Sequence, residues 1–336
     1  MKTILKFLLL VFATTVAFSI VSALMPYSDS FKEANKNANP SVILYILATV
    51  AWICLAIVYV VKHSTWEKRK LMFYLTIMLF LVLSFMTQIE TLFFGHAFKA
   101  LSTADILLIM IANGTVVIAA TPLSIALFKG RREEMDETSA SRSAGGATPV
   151  YIVPNLVAKL AVIGILYVVI YFVFGYFVAW KVSDLRVFYS GQATDNGFIG
   201  GLIANVDERP TIFPFQFLRG VLFGLFVLPL MHMFSDQPRT LLISLVLVFS
   251  SVGIMLIIPN VLFPDNVRWA HFRELMSSMI IFAVVIWWVY QRLMPSKEKI
   301  VRDNSQESGG PNAGSLNRYH RENHNIFTRR RVNLHG

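Results

Sequence analysis

Val42-Ile-Leu-Tyr-Ile-Leu-Ala-Thr-Val-Ala-Trp-Ile-Cys-Leu-Ala-Ile-Val-Tyr-Val-Val61 carries no charge over twenty residues, and Lys62-His-Ser-Thr-Trp-Glu-Lys-Arg-Lys70 follows at once. At about 1.5 Å of rise per residue, a helix of that length crosses the roughly 30 Å hydrocarbon core of a bilayer. The run is too long for a barrel strand, and it lacks the polar alternation such strands need. The same pattern recurs at Ile4–Leu24, Leu71–Phe94, Ile106–Phe128, Ile152–Trp180, Phe213–Phe234, Leu241–Phe263 and Trp269–Leu293. These stretches predict an all-α, polytopic transmembrane helical bundle of eight spans.

Bulk composition agrees. Only 15% of the 336 residues are charged, against about 25% in soluble domains. The single cysteine, Cys54, lies inside an apolar run, which excludes an intramolecular disulfide framework or a cysteine metal cluster. The net charge of +10 is explained by where the basic residues sit, so nucleic acid is not an expected partner; the lipid bilayer is. No cofactor-binding fingerprint is present. The chain lacks a Walker loop, a dinucleotide-binding glycine pattern, a Gly-x-Ser-x-Gly elbow, a voltage-sensor arginine ladder and a Thr-Val-Gly-Tyr-Gly filter.

Basic residues set the orientation, because short cytoplasmic connections hold an excess of Lys and Arg. With the N-terminus inside and eight spans, the inner side holds Lys2, Lys6, Lys62, Lys68, Arg69, Lys70, Lys129, Arg131, Arg132, Arg142 and Arg239, and then the C-terminal tail. The outer side holds Lys32, Lys36, Lys99, Lys181, Arg186, Arg209, Arg268 and Arg273. Both termini are therefore expected in the cytoplasm. Residues 1–23 also fit a signal peptide, with Lys2 and Lys6 first and Val21-Ser-Ala23 as small residues for cleavage. Retention as a helix is the expectation; cleavage would leave seven spans.

The spans divide into residues 1–128 and 151–294. Between them, 129–150 is charged and rich in Ser and Gly, and reads as a flexible cytoplasmic linker. The polar tail 295–336 reads as disordered and basic. The connection 181–211 is expected to be periplasmic. It contains Gly197-Phe-Ile-Gly-Gly-Leu-Ile-Ala-Asn-Val206, too short to span and suited to a re-entrant or interfacial segment. Asp184, Arg186 and Tyr189 stand before it, where they could form a lid over a cavity or an ordinary covering loop.

Ionisable groups inside spans are costly and need partners, water or a ligand. Arg219 lies about two turns inside the sixth span, with Gly220 and Gly224 spaced for close helix contact. It is expected to face the bundle and to meet Glu90 or Glu274. Arg268, His271, Glu274 and Ser278 recur at three and four residues and can share one helical face. With His96 beyond Glu90, the set His96, His271 and Glu274 offers nitrogen and oxygen ligands for a divalent metal. The same groups could instead form a structural ion-pair network or a polar cavity. Asn113 and Pro122 are expected to bend or cross-link the fourth span, and Lys159 to snorkel to the inner interface.

Gly175-Tyr-Phe-Val-Ala-Trp-Lys-Val-Ser-Asp-Leu-Arg-Val-Phe-Tyr-Ser-Gly191, Phe215-Gln-Phe-Leu-Arg-Gly220 and Val267-Arg-Trp-Ala-His-Phe-Arg-Glu274 resemble a loose group of bacterial multi-pass membrane proteins of unassigned activity. The resemblance covers the C-terminal half. It implies a bacterial inner-membrane setting and supplies no substrate.

Three functions fit these residues. The leading one is transport or sensing of a small solute or ion through an outer-facing polar cavity lined by Arg219, Glu90, His271 and Glu274. The second is an intramembrane metal-dependent or acid–base enzyme using His271 and Glu274, and the third is a structural or assembly component. The topology is tested with single cysteines at Ser139 and Ser190 in a Cys54→Ser background. An impermeant thiol reagent applied to intact cells should label Ser190→Cys and spare Ser139→Cys; the opposite pattern would overturn the orientation.

Overall fold

A computed structural model of the chain describes residues 2–36, 40–98, 101–130, 155–260 and 262–293. Most of the expected linker 129–150 and all of the expected tail 295–336 lie outside the described residues. In chain order the helices are α1 (Lys2–Leu24), α2 (Asp29–Asn35), α3 (Val42–His63), α4 (Lys68–Phe93), α5 (Thr103–Phe128), α6 (Leu156–Ala179), α7 (Ser183–Ser190), α8 (Gly197–Glu208), α9 (Ile212–Met233), α10 (Pro238–Ile257) and α11 (Asp265–Leu293). Eight of them, all but α2, α7 and α8, are long and apolar enough to cross a membrane. There is no strand among the described residues. The molecule is an all-α integral membrane bundle.

Two helix ends differ from the sequence reading, each for a local reason. The seventh span stops at Ile257, short of Phe263. Pro259 disfavours helical backbone at the residue before it, and Ile258 is extended with ψ 116°. The last helix begins at Asp265, one turn before Trp269. An acidic residue in the first turn suits the positive end of the helix dipole. Lys159, expected to snorkel to the inner interface, is buried, with its ammonium 5.9 Å from the Tyr290 ring centroid. Helix α5 runs on through Pro122.

Packing falls into two neighbourhoods joined by α10 and by the contact of α4 with α9. Helix α1 packs on α3 and α5, and α4 packs on α5. Helix α6 packs on α9 along most of its length, and α10 packs on α3. Aromatic rings fill the centre: Tyr167 of α6, Phe223 of α9, Phe249 of α10 and Phe282 of α11 meet with centroids 4.7–6.0 Å apart. Such edge-on and tilted pairs add to the packing that must replace the hydrophobic effect inside lipid.

The connection 181–211 is structured. Helix α7 docks on the start of α11 through Leu185, Val267, Ala270 and Ala179, with Phe188 and Phe263 packed beside them. Helix α8 covers Gly197–Val206 and buries no residue fully. Its Phe198 sits on Tyr176 and Phe177 at the end of α6, while Ile199, Ile203 and Val206 stay exposed. At the same end of the bundle, Ser28 and Ser102 each give Asp105 a backbone and a hydroxyl hydrogen bond of 2.6–3.0 Å. That buried carboxylate ties the start of α2 to the start of α5.

Glycine decides how closely α6 and α9 approach. A Cβ on Gly220 would lie 2.5 Å from Tyr167 Cβ and 2.9 Å from Gly164 Cα, so backbone meets backbone there. Gly220→Ala should destabilise the protein by about 1–3 kcal/mol through overpacking. Gly201→Ala, where a Cβ meets nothing within 4 Å, should cost no stability. Thermal unfolding in detergent checks the contrast, and equal stability of both variants would refute the close contact.

Candidate functional site

The site is assembled at the end of the bundle that carries α7. Arg219, on the second turn of α9, is 1% exposed and points inward beside Gly220. Its guanidinium forms a fork on Glu90 of α4: Nη1 donates to Oε1 at 2.6 Å and Nη2 to Oε2 at 2.7 Å. Nη1 also donates to Gln216 Oε1 at 2.9 Å, one turn earlier on α9. Planar bidentate geometry matches a carboxylate in direction as well as charge. Phe93 and Phe215 lie one turn farther along their helices and stack at 4.0 Å and 5°. The Phe215 ring lies 5.8 Å from the Arg219 guanidinium, while the Glu90 side chain stays 24% exposed.

The orientation of Glu90 depends on a π-helical turn at Phe80–Phe85 in α4. One additional residue in a turn rotates everything beyond it by about 100° around the helix axis. Without it, Glu90 would face away from α9. Thr87 Oγ1 donates to the carbonyls of Leu83 at 3.0 Å and Ser84 at 2.9 Å, supporting the backbone at the end of that turn. Gly114 of α5 makes room for the turn, since a Cβ there would lie 2.6 Å from the Phe80 ring.

Glu274 and His271 come from α11, three residues apart on one face. His271 Nδ1 is 3.2 Å from Glu274 Oε2, and His271 Nε2 is 3.0 Å from the Tyr189 hydroxyl of α7. Which ring nitrogen carries the proton is set by these two partners. Burial pushes the Tyr189 phenol far above its ordinary range, and the Glu90 and Glu274 charges add to the effect. Tyr189 therefore remains a neutral hydroxyl at every physiological pH. Glu90 and Glu274 line one small cavity of about 10 Å³, together with Tyr167, Tyr171, Ile170, Leu275, Ser278 and Met279. That is room for about one water.

The sequence candidates divide plainly. Arg219 meets Glu90, and His271 meets Glu274 and Tyr189 of the expected lid, but of the four residues expected to line the cavity only Glu90 and Glu274 do so. Arg268 lies apart: its Nη2 donates to Asp265 Oδ1 at 2.7 Å and its Nη1 to the Ile257 and Leu256 carbonyls at 2.8 and 3.2 Å. It closes the exposed end of α10 and does not reach the cavity. Asp184 accepts from Asn266 Nδ2 at 2.7 Å, pinning α7 to α11. Arg186 donates to the Trp180 and Ala193 carbonyls at 2.6 and 2.7 Å, holding the shape of the α7 connection. His96 is exposed on a short turn at Gly95–Ala97. Among the described residues, no three His, Cys, Asp or Glu side chains are placed to hold a metal ion.

Sequence reasoning missed three members. Tyr167 and Tyr171 hide in an apolar run, though their spacing of four puts both hydroxyls on one helical face. Gln216, three before Arg219, carries the same signal. Asp105 was also missed as a buried group. The run Ser102-x-x-Asp105 is a capping box, with side chain and backbone bonded in both directions, and it marks the start of α5.

Removing Arg219 leaves Glu90 without its partner in an apolar setting. Breaking a buried pair in this way typically costs about 3–5 kcal/mol. Arg219→Leu should therefore lower stability by about that amount, and Arg219→Leu/Glu90→Gln should cost less than the two single losses combined. Chemical denaturation in mixed micelles measures the cycle; strictly additive losses would separate the two residues energetically.

No protein-family model, curated protein or solved structure matches the chain, and the functional reading stands on the chemistry of the cluster.

Proposed function

We propose that this integral membrane protein transports or senses a small solute or ion through the polar cluster at its α7 end. One observation carries the reading: two carboxylates from different spans, Glu90 and Glu274, line one cavity, and His271, the partner of Glu274, is hydrogen-bonded to Tyr189 of the short helix α7. A lock between helices needs less. Arg219, Glu90 and Gln216 already complete one between α4 and α9. Glu274, His271 and Tyr189 add nothing to that lock, and placing a further carboxylate inside a span is costly. Their arrangement fits a site that exchanges something with the α7 side.

In this reading α7 is the lid, seated on α11 through Leu185, Val267 and Ala270. Polar ties from α7 to α11 are few: Asn266 to Asp184, and Tyr189 to His271. Helix α7 ends at Gly191 with φ 73°, a left-handed position that glycine adopts without strain. On the resemblance and the basic-residue distribution, the setting is a bacterial inner membrane, with the α7 end periplasmic and both termini cytoplasmic.

Opening is the testable property. Ser278 lines the cavity and is buried. In a Cys54→Ser background, Ser278→Cys should react slowly with an impermeant methanethiosulfonate applied from the α7 side of native proteoliposomes. Ser190→Cys, on the exposed face of α7, should react at once. A Ser278→Cys thiol that reacts only after unfolding would mark a permanently sealed knot, and the transport or sensing reading would fall.

A further inference from the structure

We infer that the species bound at this site is a proton, delivered through His271 and loaded on Glu274; the inference rests on the transport or sensing reading. Hydrogen bonds form a line from the lid inward. The Tyr189 hydroxyl meets His271 Nε2, His271 Nδ1 meets Glu274 Oε2, and Glu274 faces the cavity shared with Glu90. The His271 side chain is 18% exposed and the Glu274 side chain 7%, while Glu90 across the cavity is 24% exposed. His271 is the entrance, and Glu274 the store.

Size excludes an organic solute from this closed state. The cavity holds about one water, and a proton needs no additional room. Charge points the same way. Glu90 and Arg219 cancel as a pair, leaving Glu274 beside the largely buried imidazole of His271. One proton makes the cluster neutral. The groups facing Glu274 are Tyr167 and Tyr171 of α6, Glu90 of α4, Arg219 of α9, and His271 and Ser278 of its own helix, with Tyr189 behind His271. Arg219 is the one permanent cation among them.

A metal cation fits less well. Both Glu90 oxygens are taken by the Arg219 fork, and Glu274 Oε2 is taken by His271. Few oxygens remain for a hard cation, which takes many, and the guanidinium opposes it. The loading step balances simply. The Tyr189 hydroxyl passes its proton to His271 Nε2 as it takes one from solvent, the imidazolium passes its Nδ1 proton to Glu274, and a neutral phenol, a neutral imidazole and a carboxylic acid remain.

The test is infrared spectroscopy of the full-length protein in nanodiscs. On acidification, the wild type should gain a carboxylic-acid C=O stretch that shifts in deuterium oxide. The band should be absent in Glu274→Gln and retained in Asp184→Asn. A band unaffected by Glu274→Gln, or no band at all, overturns the assignment. Should Glu274→Gln fail to fold, Glu274→Asp should move the band, and an unmoved band would be equally decisive. Thermal stability compared in sodium and choline chloride adds a second arm: stabilisation by sodium that depends on Glu274 would replace the proton with a metal cation. Loss of the band while Ser278→Cys still labels removes the proton alone. A band with a sealed Ser278→Cys removes the transport or sensing reading instead.

Discussion

A full positive charge inside a membrane span has to be answered, and Arg219 is answered by Glu90. Much of the α7 end follows from that requirement. The fork fixes α9 against α4. It requires a π turn in α4 so that Glu90 faces the right way, and that turn in turn needs Gly114 on α5. A single charged pair thereby constrains three helices. Arg219 is almost fully buried within the pair, where the Coulomb attraction is less diluted than in water.

The second carboxylate has a different status. Glu274 is held by a neighbouring imidazole and a cavity, and its partner His271 is reached by a hydroxyl from a short helix outside the spans. Two carboxylates a few side chains apart therefore have separate environments. One is locked by a guanidinium fork; the other retains a free direction toward the cavity. This asymmetry separates the part of the cluster that holds the bundle together from the part available for chemistry.

Packing makes the site possible. Inside lipid, helices gain little from hiding apolar surface and must associate by close contact. Gly164 and Gly220 supply that contact between α6 and α9, and the aromatic rings of Tyr167, Phe223, Phe249 and Phe282 fill the space between four helices. Tyr167 serves both: its Cβ touches the glycine seam and its ring borders the cavity.

The amino-acid sequence by itself determined the helical membrane class and the positions of the eight spans, because bilayer thickness translates directly into run length. It also marked Arg219 as inward-facing, since a lone charge in a span has nowhere else to go. His271 and Glu274 could be placed together from their spacing on one helix. Pairing between helices was decided only by the tertiary structure. Hydropathy leaves Arg219 equal claims on Glu90 and Glu274, and the π turn that settles the matter has no sequence signal beyond ordinary apolar residues. Arg268 has the right spacing to join the cluster, yet it turns to the carbonyls at the end of α10, which the chain reversal before α11 brings beside it. Tyr167 and Tyr171 could not be told from core aromatics until α6 was seen beside α11. Helical periodicity fixes which residues share a face; only packing fixes which faces meet.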